Sequence, residues 1–335
     1  MKSIVFSKRS LKCKDSLLTT LPQNWATVEV NTVGLCGTDV AKFRNYKLPV
    51  KHTNILGHEF IGKIVKMNGK SSSVVIGDFV VCMPILPCDC CEECLNGREN
   101  LCVEKAAIGR TVPGAFAEYV NVPIKNLIEI NNSVYRKAYV LADPLAVCLH
   151  AVKSANVKST GGKVLIIGDG SIGCLLAWFL SKQNRNVSIK GIHSDNLHFV
   201  NALGMNLQNV VDISTGTYDE VYEIVGRKQE KTLNECIKAV KPGGIVVVLG
   251  VYSADFIYPL AARDLFIKES KMVGVNAYTR GDFFEAVNFI RDNEKSLIKF
   301  ISHSFVLEDF SGALDAMRNK RGLTLKIILE IGDSS

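Results

Sequence analysis

The sequence predicts a mixed α/β protein: a β-rich amino-terminal domain followed by a doubly wound parallel sheet. Three observations carry that expectation. Up to about Val140, short β-rich runs alternate with Gly, Pro and Asn punctuation. From Gly162 onward strands alternate with helical segments, the pattern of a parallel sheet with helices on its faces. The first strand-to-helix turn of that series reads "GDGSIG". At 335 residues the chain exceeds one ordinary core. The change of texture places a first domain over 1–150, a second over 151–280 and a carboxy-terminal segment over 281–335.

In chain order, "ATVEVNTVG", "FIGKIVKM", "DFVVCMPI" and "FAEYVNVP" are the expected strands of a barrel-like domain. "LADPLAVCLHAVKSAN" (141–156) has apolar residues near helical spacing and forms a bridging helix. "KVLIIG" is a buried strand, "SIGCLLAWFLSK" a helix, "NVSIKGI" a second strand, and "SDNLHFVNALG" a helix closed by Gly204. "NVVDI" is the third strand, and "YDEVYEIVG" and "GGIVVVLGVY" continue the series. Two amphipathic helical segments, "DFFEAVNFIRD" and "FSGALDAMRNK", precede a final strand, "LKIILEI".

An apolar share of 47% with 22% charged residues is that of a soluble globular chain. The net charge of +7 is spread among acids, so no nucleic-acid partner is expected. The most apolar run, Val164 to Leu180, is interrupted by Asp169 and a glycine-rich turn, so no membrane span is expected either. The opening residues carry no long apolar core or small-residue cleavage site. With eleven cysteines, five of them clustered, reduced thiols and metal are favoured over disulfides, and a cytoplasmic location is expected.

Gly168, Gly170 and Gly173 follow a strand and open a helix, the context in which G-x-G-x-x-G binds a dinucleotide. The first glycine makes the turn, the second admits the pyrophosphate, and the third lets helix pack on strand. Asp169 is an awkward neighbour for a phosphate and is expected to point away. Cofactor choice is written at the end of the second strand, where an acid would accept from the ribose 2′-hydroxyl of NAD. Gly191 stands there instead, with Lys190, His193 and Ser194 beside it, which favours NADP over NAD. Asp195, four residues on, is expected to start the next helix.

The stretch "CDCCEECLNGRENLC" (88–102) holds Cys88, Cys91, Cys94 and Cys102 as C-x2-C-x2-C-x7-C. Four thiolates at such spacing close a tetrahedral zinc site with no open position, a structural staple. Cys90 is the spare. An iron–sulfur cluster is the weaker reading, since the glycine loop already supplies a hydride carrier.

"VGLCGTD", "ILGHEFIGKIV", the cysteine lobe with "CLNGRENLC", "GAFAEYV", "DPLAV…HAV", "GDGSIG" and "KPGGIVVVLG" occur in order over nearly the whole length. In this the chain resembles the zinc-dependent medium-chain alcohol dehydrogenase family, most closely its polyol branch of sorbitol, threonine and sugar-alcohol-phosphate dehydrogenases. The resemblance implies a GroES-like catalytic domain completed by a carboxy-terminal return, an inserted Rossmann domain, two zinc ions per chain and a homodimer or homotetramer. Carried over by position, Cys36 and His58 match catalytic zinc ligands, and Glu59 matches the acid that follows the histidine. Asp143 stands where the family has a cysteine or a glutamate. Thr38 matches the hydroxyl that takes the alcohol's proton. Ile172, Leu249, Gly250 and the segment Asn276–Tyr278 match nicotinamide-binding stretches.

One departure is notable. Where the family often ends its proton relay with a histidine, five residues past the ligand cysteine, this chain has Ala41. Lys42, Arg44 and Lys47 follow, as receivers of an acidic or phosphorylated substrate or as a solvated face. His52, His150 and His303 read as surface or packed residues, Cys148, Cys174 and Cys236 as small core residues, and Glu118 and Tyr119 as structural. The expected activity is hydride transfer between a secondary alcohol, polyol or sugar-alcohol phosphate and NAD(P). Its rivals are an NADPH-dependent aldehyde or ketone reductase and a non-catalytic dinucleotide-binding protein.

Overall fold

The computed structural model of the chain describes residues 1–7, 10–40, 55–157, 161–203, 208–210, 212–225, 231–252, 257–320 and 322–332. It divides into two compact units, Met1–Asp143 with Thr279–Arg321 and Lys326–Ser335, and Pro144–Tyr278 with Gly322–Leu325.

The first unit is built on a seven-stranded sheet. Its centre is the strand Trp25–Leu35, eleven residues long and buried almost throughout. Both of its edges are paired, with Glu59–Asn68 on one side and with Tyr119–Pro123 and Lys326–Glu330 on the other. Phe79–Cys82 and Leu127–Glu129 extend the sheet beyond Glu59–Asn68, and Ile301–Val306 extends it beyond Lys326–Glu330. Phe60, Ile64, Phe116, Val120 and Leu329 fill the core with Phe310 of the helix Phe310–Asn319, whose ring meets Phe116 edge-on at 5.0 Å.

Register brings the chemistry together. Gly34 pairs with Glu59, and Leu35 pairs with Ile327. Cys36, one residue past the central strand, therefore meets His58 and Glu59 at the start of one neighbour and Lys326 at the start of the other. None of these could be moved by one residue without turning a side chain to the opposite face.

The second unit holds six parallel strands in the order Gln208–Asn209, Asn186–Lys190, Lys163–Ile167, Tyr218–Glu223, Val240–Val248, Lys271–Gly274. The chain starts in the middle, winds outward to one edge, and returns to wind to the other. The strand order reverses between Lys163–Ile167 and Tyr218–Glu223, and ligands of such sheets bind at that reversal. The doubly wound sheet is the one expected. The helices Ser171–Lys182 and Ser194–Ala202 occupy the predicted segments, while the third strand is only two residues long among the described residues. The closure at Gly204 lies outside the described residues. No helix among the described residues is long and apolar enough to cross a membrane.

Candidate active site

Cys36, His58 and Glu59 each offer a ligand atom, and the three atoms lie within 4.8 Å of one another. His58 is 4% exposed and Glu59 3%, while Cys36 is half-buried. A thiol, an imidazole and a carboxylate closing on one point from three chain positions is a donor set zinc accepts, with room for a further ligand. His58 Nδ1 is buried without a hydrogen bond and lies 3.6 Å from Asp39 Oδ1, which leaves Nε2 for a metal. Burial alone would lower the imidazole's pKa, but Asp39 and Cys36 outweigh it and hold it well above the usual histidine range.

Thr38 Oγ1 donates to Cys36 Sγ at 3.2 Å, so the expected proton acceptor sits against the expected metal ligand. Asp143 is outside the three-atom group. It is close enough that its charge pushes Glu59 up, so it reaches the site electrostatically. Ala41, Lys42, Arg44, Lys47 and His52 lie outside the described residues. A described cation does stand at the site: Arg110 donates to Thr38 Oγ1 at 3.4 Å. It rides on a turn fixed by glycines, since a Cβ at Gly109 would fall 2.5 Å from the Gly57 carbonyl oxygen beside His58.

The residue that sequence reasoning missed is Lys326. Its Nζ lies 2.6 Å from Glu59 Oε2, with the two side chains 4% and 1% exposed. Gly34 makes the pair possible, because a Cβ there would stand 2.5 Å from Glu59 Oε2. Burial pushes the Glu59 carboxyl above its ordinary value, and Lys326 and His58 offset this only in part. Lys326 is held up in turn, burial being outweighed by Glu59 and Cys36. In the sequence a lysine heading "LKIILEI" reads as the solvated end of a strand; only the long-range register shows where it points.

The ligand atoms of Cys88, Cys91, Cys94 and Cys102 also lie within 4.8 Å of one another. Their sulfurs approach to 3.5 Å for Cys91–Cys94 and Cys88–Cys102, and to 3.9 Å for Cys88–Cys94. Cys90 is exposed and outside the group. Backbone N–H groups of Cys90 and Cys91 bring the Cys88 thiol down to about 6, whereas burial and neighbouring thiols push Cys94 up to about 12. Four sulfurs this close, one already an easy thiolate, suit a cation at their centre. The lobe is tied to its unit by Asp89, which pairs with Lys125 and, at 3.1 Å, with Arg280.

In the second unit the three glycines have distinct geometries. Gly168 has φ +124°, which a side chain tolerates poorly; a Cβ at Gly173 would run into the Gly168 carbonyl; a Cβ at Gly170 would meet nothing within 4 Å. Gly170 caps the helix Ser171–Lys182 with no side-chain hydrogen bond, so no cap competes with a ligand for the first-turn N–H groups near Ile172. Leu249 and Gly250 both donate backbone N–H to the Glu223 carbonyl, at 2.9 and 3.1 Å, and Asn276 follows the strand Lys271–Gly274. All lie past the carboxyl ends of parallel strands.

The room expected at Gly191 is filled. A Cβ there would collide with the Cβ, Cγ and Oδ2 of Asp169, whose side chain turns away from the glycine loop toward His193. His193 donates its backbone N–H to Asp169 Oδ2 at 2.5 Å, and its Nδ1 lies 2.8 Å from Oδ1. Ser194 starts the following helix, and Lys190 pairs with Glu235 at 3.1 Å.

A metal-sized cluster on a β-rich unit and a glycine loop on a doubly wound sheet define a dinucleotide-linked oxidoreductase, and the comparisons agree. Residues 22–132 match the alcohol dehydrogenase GroES-like domain, and residues 137–331 match the glucose dehydrogenase C-terminus. The chain is 30% identical to D-altritol 5-dehydrogenase of Agrobacterium fabrum, over 86% of this chain and 87% of that one. It is 26% identical to sorbitol dehydrogenase 1 of Saccharomyces cerevisiae, over 91% and 90%. Galactitol-1-phosphate dehydrogenase of Escherichia coli superposes with a TM-score of 0.86 at 25% identity, over 98% and 100%. The chain belongs to the zinc-type medium-chain alcohol dehydrogenase family, in its polyol branch, with the GroES-like and Rossmann folds of that family.

Proposed function

We propose that the chain oxidises a secondary alcohol of a polyol or sugar-alcohol phosphate, passing its hydride to NAD(P), and that Cys36, His58 and Glu59 hold the zinc that binds the alcohol oxygen. The observation that carries this reading is the convergence of those three ligand atoms beside Thr38. Zinc bound there supplies a Lewis acid that lowers the pKa of the alcohol hydroxyl.

The chain's own residues do the rest. Thr38 Oγ1 takes the hydroxyl proton and passes it outward, without a relay histidine at position 41. Glu59, drawn between Lys326 and the metal position, adjusts charge as ligands exchange, and Asp143 adds to that field. Gly168, Gly170, Ile172 and Gly173 hold the pyrophosphate, while Leu249, Gly250 and Asn276 flank the nicotinamide. Cys88, Cys91, Cys94 and Cys102 hold a second, structural zinc. The reading includes a catalytic domain over 1–150 and 281–335, a dinucleotide domain over 151–280, and a cytoplasmic homodimer or homotetramer. The NADP preference expected from the sequence rested on a small residue at 191 flanked by Lys190, His193 and Ser194; Asp169 takes up the space beside Gly191.

The test is nicotinamide absorbance with zinc-loaded protein over polyols, sugar-alcohol phosphates, threonine and simple alcohols, each with both cofactors. Turnover of one class is expected, lost in Cys36→Ser and His58→Ala with dinucleotide binding retained. Full activity in either variant would overturn the metal assignment.

A further inference from the structure

The sequence lacks the acid that reads the adenine ribose at the end of the second strand. We infer that Asp169, from within the glycine loop, supplies that negative charge and makes the chain prefer NAD over NADP. The inference rests on the proposed dinucleotide site and refines it.

The first support is steric. Position 191 is glycine although its backbone does not lie in the left-handed region, so conformation does not demand it. What demands it is Asp169: three of its side-chain atoms occupy the place where a Cβ at 191 would be. The small residue therefore admits the Asp169 carboxylate to the end of the second strand, where an acid is otherwise missing.

The second support is the fate of the donors. A 2′-phosphate at this place would need the backbone N–H groups and cations around the end of the strand Asn186–Lys190. The backbone N–H of His193 is spent on Asp169 Oδ2, and its ring Nδ1 on Oδ1. The Lys190 ammonium is drawn toward Glu235, with which it pairs at 3.1 Å. Asp169 is itself buried and held by several contacts. Its side chain is 5% exposed, and its backbone carbonyl accepts from Asn196 Nδ2 at 2.9 Å and from Cys174 Sγ at 3.3 Å. Asn196 is anchored in turn by the backbone N–H of Thr324 at 3.0 Å. An arriving 2′-phosphate would bring nearly two negative charges toward a buried carboxylate that already holds two of the nearest donors, the backbone N–H and ring Nδ1 of His193. The neutral 2′-hydroxyl of NAD meets no such repulsion, and it can donate toward the same negative end.

The test is a fluorescence titration of the full-length chain with NADH and with NADPH, with no zinc or alcohol added. NADH is expected to bind at least about tenfold more tightly, the size of like-charge repulsion over a few ångströms at a partly buried site. Asp169→Asn is expected to reduce that ratio by about tenfold, chiefly by tightening NADPH. Equal or tighter binding of NADPH by the unaltered chain overturns the inference, as does an unchanged ratio in Asp169→Asn. If Asp169→Asn binds neither cofactor, Asp169→Ser decides: NADPH bound as tightly as NADH supports the inference, and the parent's preference for NADH retained without the carboxylate overturns it. Failure of the unaltered chain to bind either cofactor would count against the dinucleotide site itself.

Discussion

Lys326→Met leaves Glu59 as a carboxylate enclosed by protein with its cation gone, since the pair's side chains are 4% and 1% exposed. Removing one partner of a buried ion pair costs about 3–5 kcal/mol. The lower end applies here, because burial with the charge of Asp143 already holds Glu59 above its ordinary value, so the carboxyl takes up a proton in preference to staying an isolated anion. The sign follows from linkage. A carboxyl whose folded-state pKa is raised costs nothing at pH below its unfolded value, and the cost of ionising it grows as pH rises. The substitution should therefore hurt little near pH 4 and fully by pH 8.

Zinc changes the balance. If Glu59 faces a metal, the loaded protein has a second cation for the orphaned carboxylate. The metal-free variant should then melt about 6–12 °C below the parent, for roughly 3 kcal/mol in a unit of this size, and the zinc-loaded variant should recover most of that. Scanning calorimetry of parent and variant, chelated and zinc-loaded, at pH 8 and pH 5 reads all of this. An equal loss with and without zinc would make Glu59 a purely structural partner of Lys326 and refute its place at the metal.

Other outcomes follow from the same geometry. Cys94→Ser should release one zinc and open the 88–102 lobe to protease before turnover falls; an inactive variant that keeps its fold and protease resistance would contradict the structural role. Gly109→Ala combines φ +70° with a Cβ 2.5 Å from the Gly57 carbonyl, so it should cost about 1–3 kcal/mol and lower kcat by shifting His58. Unchanged stability and kcat would show that the turn yields. Because Asp39 and Cys36 hold the His58 imidazole well above its usual range, metal must displace a proton there. Zinc affinity, measured by chelator competition, should thus rise from pH 6 to pH 8 more steeply in the parent than in His58→Ala.

What the sequence made legible is what is local. The cysteine lobe closes over fifteen residues and the glycine loop over six, so spacing alone carries both. The alternation of strands and helices after Gly162 likewise reports each element's own burial. The catalytic cluster is different. Cys36 and His58 flank the ends of separate strands, and without the family resemblance each reads as an ordinary core residue; what joins them is the pairing of Gly34 with Glu59. Lys326 is farther still, brought in by the pairing of Leu35 with Ile327 across nearly the whole chain.

The two buried carboxylates show the limit in physical terms. Glu59 reads as a residue that serves a metal, and its partner is invisible because an isolated lysine before three apolar residues has a simpler solvent-facing reading. From the sequence Asp169 reads only as a residue that avoids a phosphate, and Gly191 as a missing acid, because a missing side chain looks the same whether a ligand or a neighbour fills the gap. In both places the side chain that decides the chemistry is set by a glycine opposite it, Gly34 for Glu59 and Gly191 for Asp169. At these two positions, where no positive φ requires a glycine, the missing side chain admits another residue's charge. At Gly34 and Gly191 a methyl group should disturb the electrostatics of the site before it disturbs the strand.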